Sequence, residues 1–63
     1  MNESVRMQIL AIRESGVTNM FDISRVQYEA YARHFYELVI YLNEHETEYC
    51  RFILTGEAEE TNN

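Results

Sequence analysis

The chain reads as all-α, on its punctuation and its periodicity. Its two glycines are Gly16 and Gly56, and it has no proline, so residues 17–55 run without a helix breaker. Within that stretch Tyr28, Phe35, Leu42 and Tyr49 sit seven apart, and Tyr31, Leu38, His45 and Phe52 form a second series three residues on. A helix gathers such a series on one face, and little else does. Arg25, Glu29, Arg33 and Glu37 alternate in sign at four-residue spacing, which adds a ladder of i,i+4 pairs to the same reading.

The first helix is expected over about residues 2–15. Asn2 or Ser4 can cap it, because a side-chain oxygen there accepts from backbone N–H groups that lack an intrahelical partner. Val5, Ile9, Ile12 and Gly16 follow the spacing of one face, and Met7, Leu10 and Ala11 widen it beyond half the circumference. Gly16 suits a left-handed C-terminal position, with Val17 behind it to make the accompanying apolar contact.

Residues 18–22, Thr-Asn-Met-Phe-Asp, form a linker whose Asn and Asp favour local side chain to backbone bonds. Met20 and Phe21 are too apolar for a free loop and are expected to tuck under the bundle. The second helix has two possible starts. Asp22 could cap it with Phe21 and Val26 as a staple; Ser24 could cap it with Gln27 completing a capping box and Ile23 stapled to Tyr28.

Beyond Ser24 the pattern admits two architectures. A single helix over 24–55 would be about 48 Å long at about 1.5 Å per residue, far more than the first helix can cover, so it would dimerise as a helical hairpin. The preferred reading is a compact bundle of three to four short helices, about 2–15, 22–33, 35–45 and 46–55. Residues 35–42 are apolar on nearly every side, as befits a central helix, and Ile40 and Leu54 fall outside a two-stranded seam. Breaks are expected at Arg33-His34 and between Asn43 and Thr47, where helix propensity drops. The domain spans 1–56, followed by a disordered acidic tail over 57–63.

Sixty-three residues make one domain with a marginal core. A lone cysteine, Cys50, closes no internal disulfide, and no cysteine–histidine cluster suggests a structural metal. Unusually efficient helix packing, or self-association, must then supply the stability that so small a fold lacks. The N-terminal run MNESVRMQIL does not follow the pattern of a secretory signal, since Glu3 precedes Arg6 and Gln8 interrupts the apolar stretch. With no apolar segment near the length of a membrane span, this predicts a cytoplasmic protein.

Charge is unevenly placed. Residues 1–36 balance four acids with four arginines, whereas residues 37–63 hold seven acids against Arg51 alone, so the whole net charge of −6 lies in the C-terminal part. Without clustered cations, direct binding to a phosphate backbone is disfavoured. An acidic surface suits a basic partner.

Three strings, SGVTNMFD over 15–22, FYELV over 35–39 and FILTGE over 52–57, resemble a family of small uncharacterised proteins of Gram-positive bacteria and their prophages. The resemblance spans about residues 12–57. It implies a bacterial or mobile-element origin and carries no catalytic residues to transfer. It also implies glycine just before the Phe-Tyr pair, where this chain has His34. Histidine tolerates a left-handed backbone less well than glycine, which weakens the expected break.

No catalytic, cofactor-binding or metal-ligating residue is assigned. His34 and Glu37, like His45 and Glu48, stand three apart, yet they read as a helix end and a seam filler; Glu37 reads as paired with Arg33, and Cys50 as a small buried hydrophobe. Tyr28, Tyr31 and Tyr49 share the seam and are expected in the core. Tyr36 and Tyr41 lie off it, and with Glu44, Glu46 and Glu48 they form the candidate partner-binding set, since tyrosine offers a large apolar body with a polar tip. The expected function is a non-enzymatic protein–protein interaction or regulatory module, self-associating as a homodimer. A phage-encoded acidic decoy of a basic nucleic-acid-binding host protein is the alternative. A helix-turn-helix regulator is the second alternative, although its recognition helix would present only Arg25 and Arg33.

Overall fold

The computed structural model describes residues 1–56, and the acidic tail expected over 57–63 lies outside them. Four helices follow one another: α1 (Glu3–Ser15), α2 (Ile23–Ala32), α3 (Tyr36–Glu44) and α4 (Glu46–Thr55). The chain therefore forms a compact all-α bundle, and the continuous helix over 24–55 does not occur. α3 is the hub, in contact with α1, α2 and α4.

Each boundary has a local cause. Asn2 Oδ1 accepts the Val5 N–H at 2.8 Å and starts α1. At its end Gly16 takes a left-handed φ of 67° and donates its N–H to Arg13 O. In the linker Asn19 Oδ1 accepts the Phe21 N–H at 2.8 Å and closes an Asx turn. Asp22, not Ser24, caps α2: its Oδ1 accepts the Arg25 N–H at 3.2 Å.

The break between α2 and α3 is the pivotal turn. His34 has φ 65°, alone among the described non-glycine residues in being positive. Its N–H donates to Tyr31 O at 3.0 Å, and the Phe35 N–H donates to Ala30 O at 2.8 Å. Those two bonds make a Schellman motif, with histidine where glycine is usual. α3 then starts without a side-chain cap from Phe35. Gln8 of α1 supplies one instead, its Oε1 accepting the Leu38 N–H at 3.2 Å. His45 separates α3 from α4, and Gly56 ends α4 at φ 77° by donating its N–H to Phe52 O at 2.7 Å.

Nine side chains are buried together: Val5, Ile9 and Ile12 from α1, Val26 and Ala30 from α2, Leu38 and Leu42 from α3, and Tyr49 and Phe52 from α4. α4 is tied to the α1–α2 linker by the Tyr49 hydroxyl, which donates to Met20 O at 2.6 Å. Burial pushes the ionisation of that hydroxyl above its ordinary value.

Several expectations are corrected here. Tyr28 and Tyr31 are 64% and 62% exposed, because the left-handed turn at His34 ends the heptad register and α2 buries Val26 and Ala30 instead. Ile40, on the helix read as buried all round, is 56% exposed, since nine residues of α3 cannot be enclosed by three short neighbours. Met7 and Val17 also face solvent. Met20 packs against the core, but Phe21 beside it is exposed. His45 fills no gap in the core; its side chain is half-exposed at the helix junction. Cys50 is only half-buried.

Candidate functional site

The charge ladder along α2 stops where the helix stops. Glu29 accepts from Arg33 Nη1 at 2.6 Å and from Arg25 Nε at 3.1 Å. Hydrogen bonds from these two guanidinium groups, Arg33 first, hold the Glu29 carboxyl below the usual range. Arg33 therefore does not reach Glu37, as the unbroken ladder required. Glu37 is exposed, and its Oε2 accepts from Asn2 Nδ2 at 3.4 Å. α2 also stitches to α3 through Gln27, whose Nε2 donates to Val39 O at 3.2 Å and to Asn43 Oδ1 at 3.1 Å. This role for Gln27 replaces the capping box.

The five candidate partner residues do not form one surface. Tyr36 opens α3 and belongs to an aromatic cluster at the α2–α3 corner. Its ring meets Tyr31 edge-on at 5.6 Å, and His34 at the same distance. The Tyr36 hydroxyl and His34 Nδ1 lie 2.8 Å apart, within hydrogen-bonding distance. Tyr28, three residues before Tyr31, is also exposed and has the Arg25 guanidinium 5.8 Å from its ring centre. Tyr31, expected in the core, and Tyr36, expected on the surface, thus bring exposed rings together with His34 across the α2–α3 corner.

Tyr41 and Glu44 belong to a different place. Together with Asn2, Val5, Glu37, Ile40 and His45 they line an open groove of about 230 Å³ between the start of α1 and the outer side of α3. Tyr41 stacks on His45 with ring centres 5.0 Å apart, and both rings line the groove. The groove is apolar along its middle, at Val5, Ile40 and Tyr41. It is acidic at its rim, where Glu37 and Glu44 stand one heptad apart.

Glu46 and Glu48 sit in the first turn of α4. There they complement the exposed N–H groups and the positive end of the helix dipole, a local role that explains part of the acidic run. Glu48 approaches His45 Nδ1 at 3.9 Å. The two His-acid pairs stay apart, and the described residues contain no group of three or more His, Cys, Asp or Glu placed to hold a metal ion. No described helix is long and apolar enough to cross a membrane.

No curated protein and no solved structure matches the chain. A family match does cover almost all of it, the four helices and both terminal caps included. Over residues 1–57 the chain belongs to the family described as Domain of unknown function (DUF5049).

Proposed function

We propose that the chain is a small non-enzymatic interaction module of bacterial or prophage origin, working in the cytoplasm as a homodimer. One observation carries this reading: among the described residues eight large apolar side chains, Tyr28, Tyr31, Tyr36 and Ile40 among them, stand exposed against nine that are buried. Tyr31 and Tyr36 among them meet edge-on across the α2–α3 corner, and clustered aromatic surface is what protein interfaces are enriched in. Aromatic residues dominate binding energy where they are covered.

Glu29 and Tyr49 are both engaged in structural contacts. Glu29 is held ionised by two arginines, the opposite of a carboxyl poised as a general acid. Tyr49 is locked in the core by its bond to Met20. Sedimentation equilibrium of the purified chain tests the proposal. A dimer of about 15 kDa at micromolar concentration, twice the 7.5 kDa of the chain, is expected. A stable monomer at every concentration would contradict it.

A second reading, an acidic decoy for a basic host protein, draws on the exposed Glu44 and Glu46 beside the acid-rimmed groove. Charge reversal at Glu44, Glu46 and Glu48 would abolish capture of such a partner on that reading, and unchanged capture would end it.

A further inference from the structure

The described lining of the groove between the start of α1 and the outer side of α3 includes two carboxylates and no arginine. Both carboxylates, Glu37 and Glu44, are exposed. Glu37 accepts one long hydrogen bond, at 3.4 Å from Asn2 Nδ2. Among the described residues the arginine–carboxylate pairs are Arg6–Glu3, Arg25–Glu29 and Arg33–Glu29, and none involves a groove carboxylate. Glu44 also lacks the local use that Glu46 and Glu48 have. It is the last residue of α3, where the helix dipole is already negative. A cation supplied from outside therefore suits both positions. Between them the groove is apolar. Ile40 and Tyr41 follow Glu37 by three and four residues and share its side of α3, and Val5 joins them from α1.

Size and spacing narrow the occupant. At about 230 Å³ the groove is smaller than the about 300–1,000 Å³ of a small-molecule site, and it suits side chains of a partner lying along it. Glu37 and Glu44 stand seven residues apart, about 10.5 Å along the axis at about 1.5 Å per residue. A helix laid beside α3 repeats that separation between its own positions i and i+7, with i+3 and i+4 on the same side between them. An extended strand does not, because its same-side positions fall about 6.7 or 13.4 Å apart. We propose that this groove receives a basic amphipathic helix of another protein. Arginine or lysine at i and i+7 stands against Glu37 and Glu44, and leucine-sized groups at i+3 and i+4 cover Val5, Ile40 and Tyr41. This site rests on the interaction-module reading above and not on the homodimer. It is separate from Glu46 and Glu48, which serve the first turn of α4.

The probe is a capped, alanine-based synthetic helix carrying one Arg-Ala-Ala-Leu-Leu-Ala-Ala-Arg segment. It is titrated against the full chain by fluorescence anisotropy, with circular dichroism to confirm the fold of each variant. Saturable one-to-one binding is expected, with backbone amide shifts centred on Val5 and residues 37–45. Glu37→Arg/Glu44→Arg should weaken it about tenfold or more, and Ile40→Ser several-fold. Should the reversal variant fail to fold, Glu37→Gln/Glu44→Gln should still weaken binding about threefold. Glu46→Gln/Glu48→Gln removes the same charge elsewhere and should change it by less than about twofold. A control peptide with its arginines five residues apart, on different sides of the helix, should bind several-fold more weakly. Affinity should also fall between low and high salt. No binding to the folded wild-type chain overturns the groove as a basic-helix site and leaves the sedimentation test of self-association untouched. Equal losses from the two glutamine pairs, or equal affinity for the two peptides, reduce the attraction to net charge and overturn it as well. Groove amides that shift with chain concentration in the absence of peptide assign this face to a second copy, and the foreign helix fails. A chain that sediments as a monomer yet binds the probe with this pattern supports the groove and removes the homodimer.

Discussion

His34 occupies a backbone conformation that its Cβ disfavours. At φ 65° a non-glycine residue carries strain of about 1–2 kcal/mol, while glycine carries almost none. The ring offsets part of this through its contacts with Tyr36. His34→Gly is therefore expected to raise stability by about 0.5–1 kcal/mol, net of the extra freedom glycine gives the unfolded chain. His34→Val should lower it by about 1–2 kcal/mol, since β-branching makes the conformation worse. Urea unfolding of both variants measures the pair, and equal losses from the two would show that the position is not left-handed. Tyr49 sets a second residue-scale expectation. Its hydroxyl ionises above the ordinary value of 10.0 because it is buried. The neutral form is favoured by folding, so its contribution is complete below about pH 10 and is lost as pH rises toward the folded value. Tyr49→Phe should lower stability near neutral pH by about 0.5–1.5 kcal/mol, through the lost bond to Met20 O, and should flatten the alkaline limb of a stability–pH profile.

Among the elements, the sequence was legible wherever a local signal and the global pattern agreed. Asn2, Gly16 and Gly56 mark their helix ends as their chemistry dictates. The break at 33–34 was readable from falling propensity, and so was that at Asn43 to Thr47. The error in α2 arose because a heptad series was carried through a left-handed turn. Leu38, Leu42, Tyr49 and Phe52 obey the series, whereas Tyr28 and Tyr31, before the turn, and His45, at the next helix junction, do not. Long-range caps were not readable at all. Gln8 lies thirty residues from the Leu38 N–H it accepts, and nothing local signals that contact. Gln8→Ala should lower stability by about 0.5–1 kcal/mol, since the Leu38 N–H then keeps only its bond to Phe35 O, and Gln8→Glu should restore most of it; thermal unfolding distinguishes the two. Glu29 gives α2 a pH dependence. Its carboxyl is held below 4.5, so folding favours the ionised form. The contribution is present above that value and is lost as pH falls through the depressed folded value. Glu29→Gln should therefore flatten the acid limb between pH 5 and that point, as an acid titration followed by circular dichroism would show.

At the scale of the whole molecule, nine buried side chains hold four helices that could not persist alone. Leu38 sits fully buried on the hub helix, and Leu38→Ala should cost about 2–5 kcal/mol, most of the stability a domain of this size can have. The candidate site was partly legible at this scale. Tyr36, Tyr41 and Glu44 are surface residues of α3 or its groove, as off-seam positions should be. Their division between an aromatic patch and an acid-rimmed groove depends on how α1 and α2 dock, which periodicity within one helix does not encode. The architecture itself rests on the interruption of one long helical pattern into three helices after Asp22. Backbone Cα and Cβ chemical shifts in solution test this most directly. The account predicts helical shifts over 23–32, 36–44 and 46–55, with a left-handed signature at His34 and an interruption at His45. Unbroken helical shifts from 24 to 55 would contradict it.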